Sequence, residues 1–247
     1  MKLAGMKTAL GAMVLAAGAM TCVSAWAKTS KSLETPSTNW NSRIAVTDNG
    51  SHQFGNPDAP VKLTEYVSYT CPHCAHYQQQ SDPVLRLTVV PKGKVQVTVT
   101  NLLRNPIDLT IAMLTNCGDP NRFFVRHNAF FATQETWLEK AQKATKGQQQ
   151  RWFQGPMITR LRAIASDLDF YKMMSGWGID RTQADACLAD STMLDKLRAQ
   201  QEQAASLKIN STPSFTLNGK VLTDVHDWAA VSTAITDTLA EQRDGTI

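Results

Sequence analysis

Two cysteines separated by a proline and a histidine end the apolar part of residues 61–77, VKLTEYVSYTCPHCAHY. At this spacing Cys71 and Cys74 could form a structural disulfide, supply half of a zinc site, or exchange electrons with other thiols. Thiol–disulfide exchange proceeds through the thiolate, so the attacking cysteine needs a lowered pKa. The chemistry therefore depends on the surroundings that the chain gives to Cys71.

The elements around the pair predict that Cys71 lies where a strand gives way to a helix. Residues 61–69 alternate and are rich in β-branched and aromatic side chains, which predicts a strand. The composition of residues 74–88 predicts a helix that starts at the cysteine pair. The unpaired N–H groups and the positive dipole end of this helix would stabilise a thiolate on Cys71. We therefore expect a lowered pKa for Cys71 and a sulfur that solvent can reach.

The residues between and after the first cysteine fit this position. Pro72 suits the first turn of a helix, where its missing N–H would have had no partner. His73 can add a positive charge or a hydrogen bond near the sulfurs. Cys74 falls one turn later and should be the more buried thiol. Together these features predict a stabilised reduced pair and hence an oxidising disulfide.

The two other uses of the pair are less well supported. Zinc needs four ligands, but Cys117 and Cys187 are single cysteines far from the pair, which leaves His73 and His76 as the candidates. A structural disulfide that spans two intervening residues constrains little of the unfolded chain. We predict redox exchange, with no metal and no bound cofactor.

The rest of the chain predicts an α/β fold in which a helical block interrupts the sheet. The chain has 247 residues, of which 43% are hydrophobic, enough for a sizeable core. A second strand is predicted at residues 94–100, and a hairpin surrounds Asn218-Gly219, a favoured two-residue turn. The predicted organisation is a polar tether (28–53, with one short strand at 43–47), a first domain (54–106 and 208–247), an inserted helical subdomain (107–207) and a last helix capped by Asp227 (227–242).

The first residues have the features of an export signal. Lys2 and Lys7 supply positive charge, residues 8–21 are apolar, and Ala25-Trp26-Ala27 offers a small-x-small cleavage site. The apolar segment is shorter than the roughly 20 residues of a membrane span. We predict a cleaved signal peptide at residues 1–27 and an oxidising, extracytoplasmic compartment.

Alternatives to cleavage are a lipid anchor at Cys22 and an uncleaved membrane anchor. Loss of Lys2 and Lys7 would lower the formal net charge from +4 to +2. This nearly neutral balance, without a basic run, argues against nucleic-acid binding.

The stretch EYVSYTCPHC, together with STPSF some 140 residues later, resembles the DsbA-like periplasmic thiol:disulfide oxidoreductases. The resemblance in layout spans residues 54–243. It implies a thioredoxin fold with a large helical insertion between the second strand and the C-terminal hairpin, and it places the chain in the periplasm.

The resemblance also implies roles for individual residues. Cys71 would be the attacking, substrate-linked cysteine and Cys74 the resolving one. Pro213 would be a cis proline facing the pair, which lets Thr212 pair with an extended substrate strand and shape the sulfur environment. Glu65 would be a buried acid that tunes the proton transfers of the pair.

The remaining cysteines of the folded part are expected to pair with each other. With Cys71 and Cys74 joined, an exported chain leaves Cys117 and Cys187 for a structural disulfide. It would close a loop of about 70 residues and contribute roughly 4 kcal/mol on the chain-entropy model. Free buried thiols and a second redox pair stay open as alternatives.

These observations predict an oxidase that donates its disulfide to newly exported proteins. Its expected partners are unfolded or reduced exported proteins, and we expect a monomer. The resemblance to the DsbA-like family implies a second partner, a membrane protein that passes electrons to quinone. An isomerase or reductase of the same fold is the nearest alternative, since Thr212 is common before the proline in such relatives. A metal-binding protein using Cys71, Cys74 and His76 is the alternative from another class.

Overall fold

Six strands form one mixed sheet in the part of the chain that the computed structural model describes, residues 38–243 and 245. The strands are β1 (Ile44–Val46), β2 (His52–Gly55), β3 (Val61–Val67), β4 (Val95–Asn101), β5 (Ser214–Leu217) and β6 (Lys220–Val221), in the order β1-β2-β4-β3-β5-β6. The predicted signal peptide and residues 28–37 of the predicted tether lie outside the described residues.

The centre of the sheet is the parallel pair β3 and β4, whose register runs from Val61 opposite Val95 to Val67 opposite Asn101. All other neighbouring strands are antiparallel. β4 is buried along its whole length and β3 along most of it. A β-branched strand covered on both faces is typical of a parallel pair. Both strands deliver their carboxyl ends to the same edge of the sheet.

Helix α1 (Pro72–Val84) connects these two strands and begins directly after Cys71. It contains Pro83, and a π-helical turn (Leu85–Val89) and a 3₁₀ turn (Val90–Lys92) follow it. Proline within a helix removes one N–H donor and crowds the preceding turn. The predicted helix at 74–88 is therefore present, but it starts two residues earlier and changes type after Val84.

Eight helices lie between β4 and β5, as the helical composition predicts, so the α/β fold class with a helical insertion is confirmed. They are α2 (Pro106–Thr115), α3 (Phe123–Ala132), α4 (Gln134–Gln142), α5 (Lys146–Phe153), α6 (Met157–Asp167), α7 (Phe170–Ser175), α8 (Arg181–Cys187) and α9 (Ser191–Ser206). A disulfide between Cys117 and Cys187, with a Cα–Cα distance of 5.5 Å, joins the chain just after α2 to the end of α8. No helix of the described residues is both long and apolar enough to cross a bilayer.

The chain closes with the β5–β6 hairpin and helix α10 (Trp228–Arg243). Asn218 and Gly219 both have positive φ, 49° and 81°, as the two central residues of a type I′ turn require. Asp227 accepts a hydrogen bond from the N–H of Ala230 at 2.9 Å and so caps α10.

The short strand predicted at residues 43–47 is present as β1, but the description of this stretch as a tether is wrong, because residues 52–55 form a second strand and both strands belong to the sheet. β2 pairs with β4, and the ring of His52 stacks on Phe123 with 3.7 Å between ring centroids. Ser51 and Thr100 share a hydrogen bond between their hydroxyls at 2.9 Å. Pairing through backbone groups does not require apolar residues, which is why a polar, Ser- and Thr-rich stretch concealed β2.

Candidate active site

Cys71 is the residue that caps helix α1, at the carboxyl edge of β3. Its backbone is extended, and its carbonyl accepts the N–H groups of Cys74 and Ala75 at 3.1 and 3.3 Å. Both Cys71 and Cys74 are free thiols in this structure. The geometry therefore describes the reduced form of the pair.

The surroundings of Cys71 lower its pKa from 9.0 to about 5. The largest cause is a hydrogen bond from the thiol of Cys74, followed by the proximity of the Thr212 side chain and by the N–H groups of Cys74 and His73, while burial acts in the opposite direction. The predicted direction agrees with this value. The helix amides, which the sequence predicts as the source of the stabilisation, contribute less than the neighbouring thiol.

Cys74 has the opposite behaviour. Its side chain is completely buried, and burial, followed by the adjacent Cys71, raises its pKa well above the ordinary value. The pair at neutral pH thus consists of one thiolate and one thiol, and the thiol stabilises the thiolate.

Thr212 lies against the sulfur of Cys71 although 141 residues separate the two in sequence. The antiparallel pairing of Tyr66 with Ser214 brings the start of β5 to the end of β3, which explains the contact. The Thr212–Pro213 peptide is cis. The Sγ of Cys71 lies 3.3 Å from the carbonyl oxygen of Thr212, to which the neutral thiol donates.

The hydroxyl of Thr212 is a second feature of this contact. It is buried and has no hydrogen-bond partner in the described part of the chain. Ionisation of Cys71 ends donation to the carbonyl and leaves a sulfur that can only accept. The free hydroxyl can then supply a donor, which agrees with its lowering of the Cys71 pKa.

Access to Cys71 is smaller than the sequence argument expects, since its exposed fraction is only 2%. Pro72 and His73 beside it are exposed. An incoming sulfur must therefore reach Cys71 through close contact with these residues and with Thr212.

Pro72 occupies the first position of α1, as its missing N–H favours. The contribution of His73 comes from its backbone N–H, and its imidazole makes no hydrogen bond or ion pair within residues 38–243. The ring of His76 is hydrogen-bonded to Gln80 at 3.1 Å. No group of three or more histidine, cysteine or acidic side chains is arranged for a metal among the described residues.

Glu65 is buried in β3, and burial raises its pKa to about 7. Tyr77, three residues after Cys74 on α1, donates a hydrogen bond to Glu65 Oε1 at 2.6 Å. This tyrosine therefore connects Glu65 on β3 to helix α1. Sequence reasoning did not identify it, although its spacing of three residues from Cys74 places both on one face of the helix.

Two buried polar residues of the insertion hold the loop before α1, and neither was predicted. Gln134 Nε2 donates to the carbonyls of Tyr69 and Cys71 at 2.6 and 2.9 Å. Asp108 accepts from the N–H of Thr70 at 2.8 Å and from the N–H of Arg104 at 2.9 Å. Single polar residues in a long helical block give no sequence signal for such contacts.

Comparison with known proteins agrees with this fold. The family model described as thioredoxin matches residues 47–237. The chain belongs to the thioredoxin family.

Curated relatives include Rickettsia proteins provisionally assigned as protein-disulfide oxidoreductases. The Rickettsia felis protein is 28% identical over 199 residues, which cover 80% of this chain and 63% of the relative. The Rickettsia typhi protein is 27% identical, with 79% and 64% covered. The chain thus spans just under two thirds of the length of these relatives.

Solved structures of similar fold include proteins of disulfide metabolism. A protein-disulfide isomerase from Novosphingobium aromaticivorans is 43% identical, with a TM-score of 0.74 and coverage of 76% of this chain and 97% of that one. Alpha-DsbA1 from Wolbachia pipientis shares the fold at 18% identity, with a TM-score of 0.63 and coverage of 82% and 97%. The predicted thioredoxin fold and the resemblance to DsbA-like proteins are confirmed.

The first prediction concerns the ionisation of Cys71. Alkylation of the reduced protein by iodoacetamide should rise with a midpoint near pH 5, with Cys74 unmodified. The pKa of Cys71 falls from 9.0 in the unfolded chain to about 5 in the folded one. The contribution of this thiolate to the free energy of unfolding of the reduced protein is therefore complete above pH 9 and absent below pH 5. At pH 7 the contribution is about 3 kcal/mol.

Urea unfolding of the reduced and oxidised forms across this pH range tests the linkage. The stability of the reduced form relative to the oxidised form should grow as pH rises. An alkylation midpoint near that of a free thiol, or parallel pH profiles for the two forms, would contradict the assignment.

The second prediction concerns Gln134. Gln134→Met keeps the side-chain length but removes both donors, so the unfolding free energy should fall by about 2 kcal/mol. The pKa of Cys71 should rise, because the capping residue loses the bond that fixes its carbonyl. Alkylation midpoints measure the pKa, and Gln142→Met, at an exposed position of the same helix, is the control. A loss of stability with an unchanged midpoint would limit Gln134 to a structural role.

Proposed function

We propose that this protein is an exported thiol:disulfide oxidoreductase that introduces disulfide bonds into secreted proteins through Cys71 and Cys74. The observation that carries the proposal is the lowered pKa of Cys71, about 5, beside a buried neutral thiol. A stabilised thiolate favours the reduced pair, so the disulfide between these cysteines is a strong oxidant.

The reaction begins with the Cys71–Cys74 disulfide. A client thiolate attacks the Sγ of Cys71, forming a mixed disulfide and releasing Cys74 as a thiolate that takes up a proton. A second client thiolate attacks the client sulfur of the mixed disulfide and releases Cys71 as a thiolate. Two electrons pass from the client to the pair, and the client gains one disulfide.

Glu65 is suited to serve the proton that Cys74 takes up and later loses. Its pKa of about 7 lets it hold or release a proton near neutral pH. The hydroxyl of Tyr77 fixes the carboxyl at 2.6 Å. We assign Glu65 as a proton store for the buried thiol, oriented by Tyr77.

The proposal extends to the cellular setting. Residues 1–27 have the composition of an export signal, which supports work in the periplasm on reduced exported proteins. Return of the pair to the disulfide requires an oxidant, for which we propose a membrane protein linked to quinone. We propose that the protein acts as a monomer.

Disulfide isomerisation is the second candidate. It is favoured by the 43% identity to the solved structure described as a protein-disulfide isomerase from Novosphingobium aromaticivorans. An isomerase must be reduced in its compartment to attack wrong disulfides, whereas an oxidase must be oxidised. The reduction potential therefore separates the two.

The third prediction is the outcome of that measurement. Equilibration with glutathione buffers should give a potential in the range of strong oxidants, about −120 mV, rather than the roughly −180 mV of an isomerase. The oxidised protein should rapidly form a disulfide in a reduced two-cysteine peptide and only slowly rescue a protein with scrambled disulfides. A lower potential with efficient rescue would favour the isomerase.

A trapping variant tests the exchange directly. Cys74→Ser protein whose Cys71 carries a small aromatic thiol as a mixed disulfide should pass that bond to a client with one cysteine. The client thiolate attacks Cys71 and releases the small thiol, and the Cys71–client disulfide should accumulate because Cys74 is absent. The Cys71→Ser/Cys74→Ser variant, treated in the same way, is the matched control and should trap none. Release of the small thiol without a Cys71–client disulfide, or no reaction at all, would count against the whole proposal.

The fourth prediction concerns Glu65. Its pKa rises from 4.5 to about 7 on folding, so the unfolded chain loses this proton first and stability falls as pH rises between these values. Glu65→Gln should remove this loss, on the order of 3 kcal/mol above pH 7, and should slow peptide oxidation. Urea unfolding of the oxidised forms avoids the titration of Cys71, and Glu139→Gln, at an exposed site, is the control. Equal pH slopes in Glu65→Gln and the unsubstituted protein would refute the role.

A further inference from the structure

A groove lies beside the loop that precedes α1. The rim of this groove is positively charged, and its charged residues take no part in the proposed thiol–disulfide exchange. The parallel register sets Val67 opposite Asn101, and the N–H of Leu102 donates to the carbonyl of Val67 at 2.8 Å. The segments after β3 and β4 therefore leave the sheet side by side. The amide of Asn105 donates to the hydroxyl of Thr70 at 2.7 Å, which brings the groove next to the residue that precedes Cys71.

The groove has a volume of about 320 Å³ and lies between the loop after β4 and the start of α6. Its lining combines aliphatic side chains with two guanidinium groups and contains no carboxylate. Met157 is 37% exposed, so part of the apolar lining faces solvent. We call it the β4–α6 groove, and the residues of interest are Leu103, Arg104, Leu109, Met157, Arg160 and Leu161.

The positive charges of the groove are not neutralised by the described residues. The guanidinium of Arg104 is exposed and makes no hydrogen bond or ion pair there. Arg160 uses Nε to donate to the carbonyl of Trp152 at 2.8 Å, which leaves its terminal amino groups free. The nearby carboxyl of Asp108 accepts hydrogen bonds from the hydroxyl of Ser68 and from the N–H groups of Thr70 and Arg104. It contacts neither guanidinium group.

We propose that the β4–α6 groove binds an acidic segment of the client polypeptide, with a carboxylate on Arg104 and Arg160 and a neighbouring apolar side chain on the aliphatic lining. Guanidinium groups match carboxylates in geometry as well as charge. The inference rests on the proposed function, since the groove would hold a client while its sulfur exchanges with Cys71. The cationic rim gives the enzyme a preference among clients that the cysteine pair alone does not supply.

Two peptides test the preference. Both carry a pair of cysteines, preceded by Asp-Asp-Leu in one and by Asn-Asn-Leu in the other. At low peptide concentration the oxidised protein should react about fivefold faster with the acidic peptide than with the neutral one. This ratio is what two exposed ion pairs would contribute to binding. High salt should reduce the ratio towards one, because it screens exposed charges.

Substitution locates the effect. Arg104→Gln should lower the ratio to about two, because Arg160 keeps one ion pair, and Arg104→Glu should bring it to about one or below. Arg122→Gln is the matched control and should keep the preference, because Arg122 is also exposed but is not part of the groove lining. Equal rates for the two peptides, or a ratio unchanged by Arg104→Glu, would overturn the proposal.

A binding assay separates this inference from the redox function. Fluorescence anisotropy of the labelled peptides with Cys71→Ser/Cys74→Ser protein measures the groove without any exchange. Tighter binding of the acidic peptide without oxidation in the unsubstituted protein would support the groove and refute the oxidase. Oxidation of both peptides without a binding preference would support the oxidase and refute the proposal for the groove.

Discussion

The negative charge on Cys71 is the constraint on which the site depends. The sulfur is nearly covered, and burial alone would keep it protonated. Donors that reverse this effect come from the thiol of Cys74, from Thr212 and from the amides at the start of α1. The central position of β3, between β4 and β5, is what brings these separate parts of the chain to one sulfur.

The helical insertion takes part in this arrangement through the backbone rather than through the sulfurs. Gln134 binds two carbonyls of the loop before α1, and Asp108 binds an N–H of the same loop. Asp108 lies at one end of α2, and the Cys117–Cys187 disulfide ties the chain beyond its other end. The insertion therefore helps to hold the loop before α1 in place, and a movement of α2 would change the position of Cys71.

Local patterns in the sequence were sufficient for several elements. Alternation predicted β3, Asn218-Gly219 predicted the hairpin, and the cysteine pair marked the start of α1, because each depends on neighbouring residues. The contacts of Gln134 join residues more than 60 positions apart and leave no local pattern. β1 falls within the short strand predicted at 43–47, but β2 was missed for a related reason, since backbone pairing with β4 holds it and polar side chains conceal it.

The contrast between the two cysteines also bears on the direction of the proposed reaction. Both thiols are buried, yet only Cys71 has donors that outweigh burial, so their pKa values move apart. In a mixed disulfide on Cys71, the protonated Cys74 is a poor nucleophile and does not readily expel the client. A second client thiol then has time to complete the client disulfide. In the proposed mechanism the buried Glu65, with its pKa of about 7, would set how long that interval lasts, because Cys74 must lose its proton before it can attack.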